Sequence, residues 1–255
     1  MDLHLKNHVI LVSGGAKGIG SAICSNLLEE QAVPVILDKD ETAAKSFVKK
    51  YPKAHFIPVD LNDEFACRKA IEKVEKRLGR IDGLVNNAGA NDAVGLEKGS
   101  PSKFVNSLNN NASHYYYLAH HVLPYLKKSN GSIVNIASKV ALTGQGKTSG
   151  YAAAKGAILA LTREWAAELL PYSIRVNAVI PAEVYTEMYA QWLQQFPRPE
   201  EKKKAIEQLI PLGQRMTRPE EIAAMVLFLL SDRTSHVTGQ WISVDGGYIN
   251  LDRSL

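Results

Sequence analysis

Tyr151 and Lys155 stand four residues apart at the start of the Ala- and Leu-rich run from Tyr151 to Leu170, a composition that favours helix. On a helix, positions i and i+4 share one face a turn apart, so the phenol and the ammonium project side by side. Ser138 follows the apolar run Ser132 to Ala137, which reads as a strand. A serine ending a strand and a Tyr/Lys pair opening the next helix can meet at one point. The chemistry they allow is proton transfer to or from an alcohol oxygen. A tyrosine titrating near about pH 10 is a poor base at neutral pH, and lowering it to about 7 takes roughly 4 kcal/mol. A unit positive charge about 4 Å away, at an effective dielectric of about 20, supplies about that much. Lys155 is therefore a sufficient activator. Taken alone, Tyr-x-x-x-Lys is also a common accident on a helix face, so the surrounding elements must decide.

Short apolar runs read as strands at His8 to Ser13, Val33 to Leu37, Ala54 to Val59, Ile81 to Asn86, Ser132 to Ala137, Ile174 to Val179 and Trp241 to Val244. Helical patterns lie between them, from Ser21 to Gln31, Glu41 to Lys50, Asn62 to Leu78, Pro101 to Leu126, Tyr151 to Leu170 and Pro219 to Leu230. Strands apolar along their whole length have both faces covered, which makes the sheet parallel. Right-handed crossovers then give an α/β fold, a doubly wound parallel sheet (Rossmann fold) flanked by helices. No linker interrupts the alternation, so one domain over residues 1–255 is expected. The polar, Pro-broken stretch Pro181 to Leu212 reads as either a mobile lid or an ordinary surface excursion.

The first strand runs into Gly14, Gly18 and Gly20, spaced G-x-x-x-G-x-G. Glycines after a strand permit a tight turn and let a pyrophosphate approach the backbone at a helix N-terminus. Asp38 closes the second strand, 18 residues past Gly20. A carboxylate there can accept hydrogen bonds from an adenosine ribose, which favours NAD over NADP. Lys17 and Lys39 pull the other way, since each could meet a 2′-phosphate. Asp60, after the third strand, is placed to reach an adenine amino group. Asn86-Asn87-Ala88-Gly89 ends the fourth strand.

Composition narrows the alternatives. Of 255 residues, 45% are hydrophobic and 22% charged, the balance of a globular protein. No apolar run approaches the roughly 20 residues of a membrane span, and Met1 to His8 lacks the pattern of a signal peptide. The net charge of +4 is small, and Lys202 to Lys204 is the one tight basic cluster. Nucleic acid and membrane partners therefore have little support. Cys24 and Cys67 read as reduced, buried thiols of a cytoplasmic protein. No metal framework is visible, and none is expected.

Four motifs together resemble the short-chain dehydrogenase/reductase family, over about His8 to Tyr248. They are S-G-G-A-K-G-I-G at Ser13 to Gly20, N-N-A-G at Asn86 to Gly89, Ser138 with Y-A-A-A-K at Tyr151 to Lys155, and V-D-G-G at Val244 to Gly247. The resemblance implies a catalytic set of Asn111, Ser138, Tyr151 and Lys155. Asn111 has Asn109 and Asn110 beside it as neighbouring registers. In that set Tyr151 is the acid/base, Lys155 lowers its pKa and holds the nicotinamide ribose, and Ser138 bonds the substrate oxygen. Asn111 holds a water linking Lys155 to solvent. Cofactor contacts are implied for Gly14, Lys17, Gly18, Ile19, Gly20, Asp38, Asp60, Leu61, Asn87, Ala88, Gly89, Tyr151, Lys155, Pro181, Val184 and Thr186. Many members carry Pro-Gly after the sixth strand. Here Ala182 replaces that glycine, so the turn either keeps negative φ or shapes the nicotinamide loop differently. Members commonly form dimers or tetramers. Tyr115, Tyr117, Trp165 and Leu169 belong either to such a surface or to the face against the sheet.

The loops around the expected cleft are polar. Asn91 and Asp92 follow the fourth strand, and Lys139 and Gln145 lie between Ser138 and Tyr151. Glu183 opens the segment after the sixth strand, where Tyr185, Tyr189 and Trp192 offer flat faces. A substrate site of Asn91, Ser138, Lys139, Gln145, Tyr151, Glu183 and Trp192 suits a sugar, whose buried hydroxyls each need a partner. The stretches Ser138 to Tyr151, T-R-E-W-A and V-I-P-A-E-V are similar to those of bacterial L-fucose dehydrogenases. That similarity implies oxidation of the anomeric hydroxyl of L-fucose, and also of D-arabinose or L-galactose, by NAD(P)+ to the lactone. The rival readings are an NAD(P)H-dependent reductase of a small ketone or 3-oxoacyl substrate, and a nucleotide-binding protein without catalysis.

Overall fold

The computed structural model describes residues 1–251, so the last four residues of the expected 1–255 domain lie outside the described residues. The chain opens with β1 (Val9–Ser13), α1 (Gly18–Glu29), β2 (Val33–Asp38), α2 (Glu41–Lys50), β3 (His55–Pro58), α3 (Glu64–Leu78) and β4 (Gly83–Asn86). It continues with α4 (Pro101–Leu108), a π-helical turn (Asn109–Ser113), α5 (His114–Ser129), β5 (Ser132–Ile136), α6 (Ser149–Glu168) and β6 (Arg175–Pro181). The last elements are α7 (Glu187–Leu193), α8 (Pro199–Glu207), α9 (Pro219–Leu230) and β7 (Trp241–Val244).

The seven strands form one parallel sheet in the order β3-β2-β1-β4-β5-β6-β7. Strand alternation divides the core into two layers. Val9 and Leu11 of β1 join one cluster with α3, α5 and α6, while Ile10 and Val12 join the other with α1 and α9. This is the expected single-domain α/β fold. The order reverses between β1, which continues to β2, and β4 on its other side. In open α/β sheets the ligand crevice lies at the carboxyl ends of the strands at such a point.

Local chemistry sets the helix ends. Asp63 caps α3 by accepting from Ala66 N at 3.0 Å, and Gly79 ends that helix at φ +70°. One expectation changes. The helix expected from Pro101 to Leu126 is divided at Asn109–Ser113 by the π turn and runs on to Ser129. The Pro181–Leu212 segment carries α7 and α8, with Pro199 in the first turn of α8.

Tyr115, Trp165 and Leu169 are buried against the sheet and Tyr117 packs on the same cluster, which decides between the two readings of those side chains. Their neighbour Tyr116 faces outward instead, stacked on His120. Ala182 stands outside the residues with positive φ, so the turn after β6 is made without the left-handed conformation. No helix among the described residues is long and apolar enough to cross a membrane.

Candidate active site

The carboxyl ends of β1, β4, β5 and β6 converge at the reversal of strand order. Ser138 lies two residues past the end of β5 in extended backbone and caps the short helical turn Lys139–Ala141. Tyr151 lies in the first turn of α6 with Ser138 as its hydrogen-bond partner. Lys155, one turn further on, is buried. Its ammonium donates to Ile136 O at 2.8 Å and to Tyr115 Oη at 3.0 Å, and lies 5.7 Å from the centroid of the Tyr151 ring.

Burial dominates the electrostatics of both Tyr151 and Lys155. Burial pushes the Tyr151 phenol up to about 12, against a lowering by the Ser138 hydrogen bond, with Asp92 adding to the rise. Burial also pulls Lys155 down to about 7. The lysine's hydrogen bonds go to Tyr115 and Ile136, and at Tyr151 burial outweighs the Ser138 hydrogen bond. Neighbouring His114 is pushed down to about 4, first by burial and then by the Lys155 charge.

Asn111 is buried, whereas Asn109 and Asn110 are exposed. It sits in the π turn, a distortion frequent at functional sites. Its Oδ1 accepts from Ala90 N at 2.8 Å and its Nδ2 donates to Ser107 O at 3.0 Å. The side chain thereby ties the turn after β4 to α4.

The glycine turn fits a dinucleotide. Gly14 adopts φ +63°, and a Cβ there would lie 2.9 Å from Ala88 Cα. At Gly20 a Cβ would lie 2.1 Å from Gly14 O, so no side chain can be accommodated. The turn is braced from β4. Asn87 Nδ2 donates to Ser13 O at 2.9 Å and to Gly14 O at 3.1 Å. Ser13 Oγ accepts from the amides of Asn87 and Ala88 at 2.9 and 3.1 Å. Lys17, the N-cap of α1, makes no capping bond with its side chain among the described residues. The first amides of α1 are thus left for an anion such as a pyrophosphate.

Asp38 accepts from Ala16 N at 3.1 Å and from Asp40 N at 3.0 Å, which holds its carboxylate beside the turn. Lys17 pairs with Asp40 at 2.7 Å, and this pair raises the Lys17 pKa. Ile19 packs partly buried on the α1 side of the core. Asp60 is exposed and accepts from Asn62 N at 3.0 Å, with Leu61 half-buried next to it. Beyond β6, which ends at Pro181, Val184 bridges to Thr217. Thr186 caps α7, and a side chain at Gly18 would meet its Cγ2 at 3.4 Å. The loop after β6 therefore overhangs the glycine turn.

The expected substrate residues divide. Lys139 and Glu183 form a largely buried ion pair, and Tyr189 Oη donates to the other Glu183 oxygen at 2.7 Å. Lys139 also lies 4.4 Å from the centroid of the Tyr248 ring. Asn91, Gln145 and Trp192 are exposed. Asn91 accepts from Ala93 N, and Trp192 packs edge-on between Tyr189 and Phe196. Sequence reasoning had not assigned Ser13, Tyr115 or Tyr248 to the site. Ser13 carries a local signal, as a hydroxyl between an apolar strand and a glycine turn, but the other two become neighbours of the site only through the fold.

A family model described as enoyl-(acyl carrier protein) reductase matches residues 14–249, nearly the whole chain. The chain belongs to the short-chain dehydrogenase/reductase family. It is 35% identical over 252 residues to the 3-oxoacyl-(acyl-carrier-protein) reductase FabG of Thermotoga maritima, covering 97% of this chain and 100% of that protein. It is also 35% identical over 248 residues to the L-fucose dehydrogenase of Bos taurus, covering 97% and 91%. Among solved structures, the Cj0485 dehydrogenase is 45% identical with a TM-score of 0.96, covering 100% of this chain and 99% of that one. This short-chain dehydrogenase/reductase is an oxidoreductase of the NAD(P)-dependent dehydrogenase/reductase kind.

Proposed function

We propose that this enzyme oxidises the anomeric hydroxyl of an aldose with NAD+, taking L-fucose, D-arabinose or L-galactose to the sugar lactone. The observation that carries the reading is the Lys139–Glu183–Tyr189 cluster beside Ser138. A carboxylate bonded to both a lysine and a tyrosine, largely withdrawn from water, suits a substrate rich in hydroxyls and penalises an acyl chain or steroid. The name of the Bos taurus relative and the likeness of several stretches to bacterial L-fucose dehydrogenases support the same class.

In this reading Ser138 bonds the anomeric oxygen and Tyr151 takes its proton. The nicotinamide of bound NAD supplies the hydride chemistry. Lys155 stabilises the phenolate and holds the nicotinamide ribose. Asn111 holds the water that connects Lys155 to solvent, through its main-chain carbonyl, because its side chain is committed to Ala90 and Ser107. The amides of the Gly14–Gly20 turn hold the pyrophosphate, Asp38 the adenosine ribose, Asp60 and Leu61 the adenine, and Pro181, Val184 and Thr186 the nicotinamide end. Asp38 beside the turn and Lys17 neutralised by Asp40 favour NAD over NADP.

A homo-oligomer in the cytoplasm completes the proposal. The exposed Phe104, Val105 and Tyr116 on α4 and α5 support a subunit surface, and the two free, buried cysteines suit a reducing compartment.

The Thermotoga maritima relative, equally similar, favours a second reading, reduction of a 3-oxoacyl substrate or small ketone. An aldose panel with NAD and NADP, followed by absorbance of the reduced cofactor, separates the two. Activity on L-fucose, D-arabinose or L-galactose is expected. Silence on all three, with clear turnover of a β-hydroxyacyl ester or an apolar alcohol, would overturn the aldose reading.

A further inference from the structure

Tyr115 and Lys155 are the two bulkiest fully buried side chains among the described residues, and they bury their polar tips against each other. Packing alone would be met by phenylalanine at 115. The phenol oxygen instead donates to Ile136 O at 2.9 Å and accepts from Lys155 Nζ at 3.0 Å, while Nζ also donates to Ile136 O at 2.8 Å. The three groups close a triangle drawn from α5, α6 and the end of β5. An ammonium withdrawn from water stays charged only where acceptors replace the water. Lysine has three N–H donors, and this triangle engages two of them.

We propose that Tyr115 is a positioning residue, whose phenol oxygen and the Ile136 carbonyl form a two-acceptor seat that keeps Lys155 charged and aims it at the Tyr151 side of the cleft. The inference rests on the reading of Tyr151 and Lys155 as the proton-transfer pair. It assigns a role to a residue outside the four expected to be catalytic. The groups facing the ammonium are the Tyr151 ring on its own helix, His114 and Tyr115 on α5, and Asn111 with the Gly89 turn after β4. Asp92 acts on Tyr151 from that same turn. Tyr115 is the one of these whose side chain hydrogen-bonds Lys155 among the described residues. Burial already disfavours the charged form of Lys155, so each acceptor in this seat counts toward holding the ammonium.

The test is the pH profile of Tyr115→Phe, measured with NAD and whichever alcohol of the panel above the enzyme oxidises. Without the phenol oxygen, the Lys155 ammonium is held less firmly beside Tyr151. The Tyr151 phenolate it stabilises then forms less readily, so the apparent pKa of the tyrosine rises. The rising limb of kcat/KM is expected to move to alkaline pH by about one unit, the scale of a hydrogen bond to a charged group. A rate near pH 7 lower by roughly tenfold accompanies that shift. A limb that overlies the parent's, or moves to acid, overturns the proposal whatever the loss in rate, because a packing defect scales kcat without moving the limb. Tyr115→Met, which also lacks the oxygen, supplies the same measurement if the phenylalanine variant fails to fold. Tyr151→Phe runs alongside. If that variant keeps turnover, the underlying reading of the pair fails. If it is inactive and the Tyr115 profile is unmoved, only the role of Tyr115 fails.

Discussion

Lys139 and Glu183, 44 positions apart in sequence, meet as an ion pair whose side chains are 10% and 12% exposed. The fold makes this pair by placing the ends of β5 and β6 side by side. If it binds the sugar, Glu183→Gln should raise KM for the aldose by about tenfold or more and leave KM for NAD within about twofold, on the scale of one charged hydrogen bond. Equal rises in both would place the pair outside the sugar site. Removing one member of a buried pair leaves the other charge uncompensated at a cost of about 3–5 kcal/mol. The double variant Glu183→Gln with Lys139→Met should therefore melt above the single variant Glu183→Gln.

Tyr151→Phe should lower kcat by about a thousandfold, in the range of a lost general acid/base. The ring remains, so NADH affinity, read by fluorescence titration, should stay within about threefold. Turnover within tenfold of the parent would remove Tyr151 from the proton-transfer role.

For the cofactor, the parent should favour NAD over NADP in kcat/KM by at least about tenfold, the loss expected when a 2′-phosphate meets a carboxylate. Asp38→Ala should narrow that ratio. It also releases Ala16 N and Asp40 N, so affinity for NAD should fall as well. A parent enzyme that prefers NADP would show that Asp38 does not contact the ribose.

His114 links the site to acid stability. Its folded pKa of about 4 lies below its ordinary value of 6.5, because burial and the nearby Lys155 disfavour the charged ring. A base whose pKa is depressed by folding stabilises the fold fully above its unfolded pKa. Stability is then lost as pH falls from about 6.5 towards 4, by an amount on the order of 3 kcal/mol. His114→Gln should flatten this part of the curve. Urea unfolding at pH 7.5 and pH 5 measures it, and parallel losses in parent and variant would assign the acid sensitivity to other groups.

Most of the architecture was legible in the chain. Short apolar strands of four to seven residues carry their pattern locally, and α2, α9 and β7 begin and end at the residues the pattern predicts. The glycine turn was equally legible, since tight turning and close approach of the backbone are properties of the residues themselves. Less legible was the division of the long helix at Asn109–Ser113. Three consecutive asparagines weaken helix without specifying a π turn.

The sequence by itself determined the strand and helix order, the strand ends that carry Gly14, Asn87, Ser138 and Pro181, and the shared face of Tyr151 and Lys155. Each follows from periodicity or from spacing within one element. Tertiary structure alone decided where the Lys155 ammonium goes. An i, i+4 spacing sets the face from which a lysine leaves the helix, but its four-carbon stem reaches whichever acceptors the neighbouring elements supply. Here those acceptors are Tyr115 Oη, 40 positions away on α5, and Ile136 O, 19 positions away on β5. The same reason governs Asn87 at the glycine turn, Glu183 at Lys139, and the inward face of Trp165 and Leu169. Packing of helix on sheet chooses these partners, and no local pattern encodes that choice.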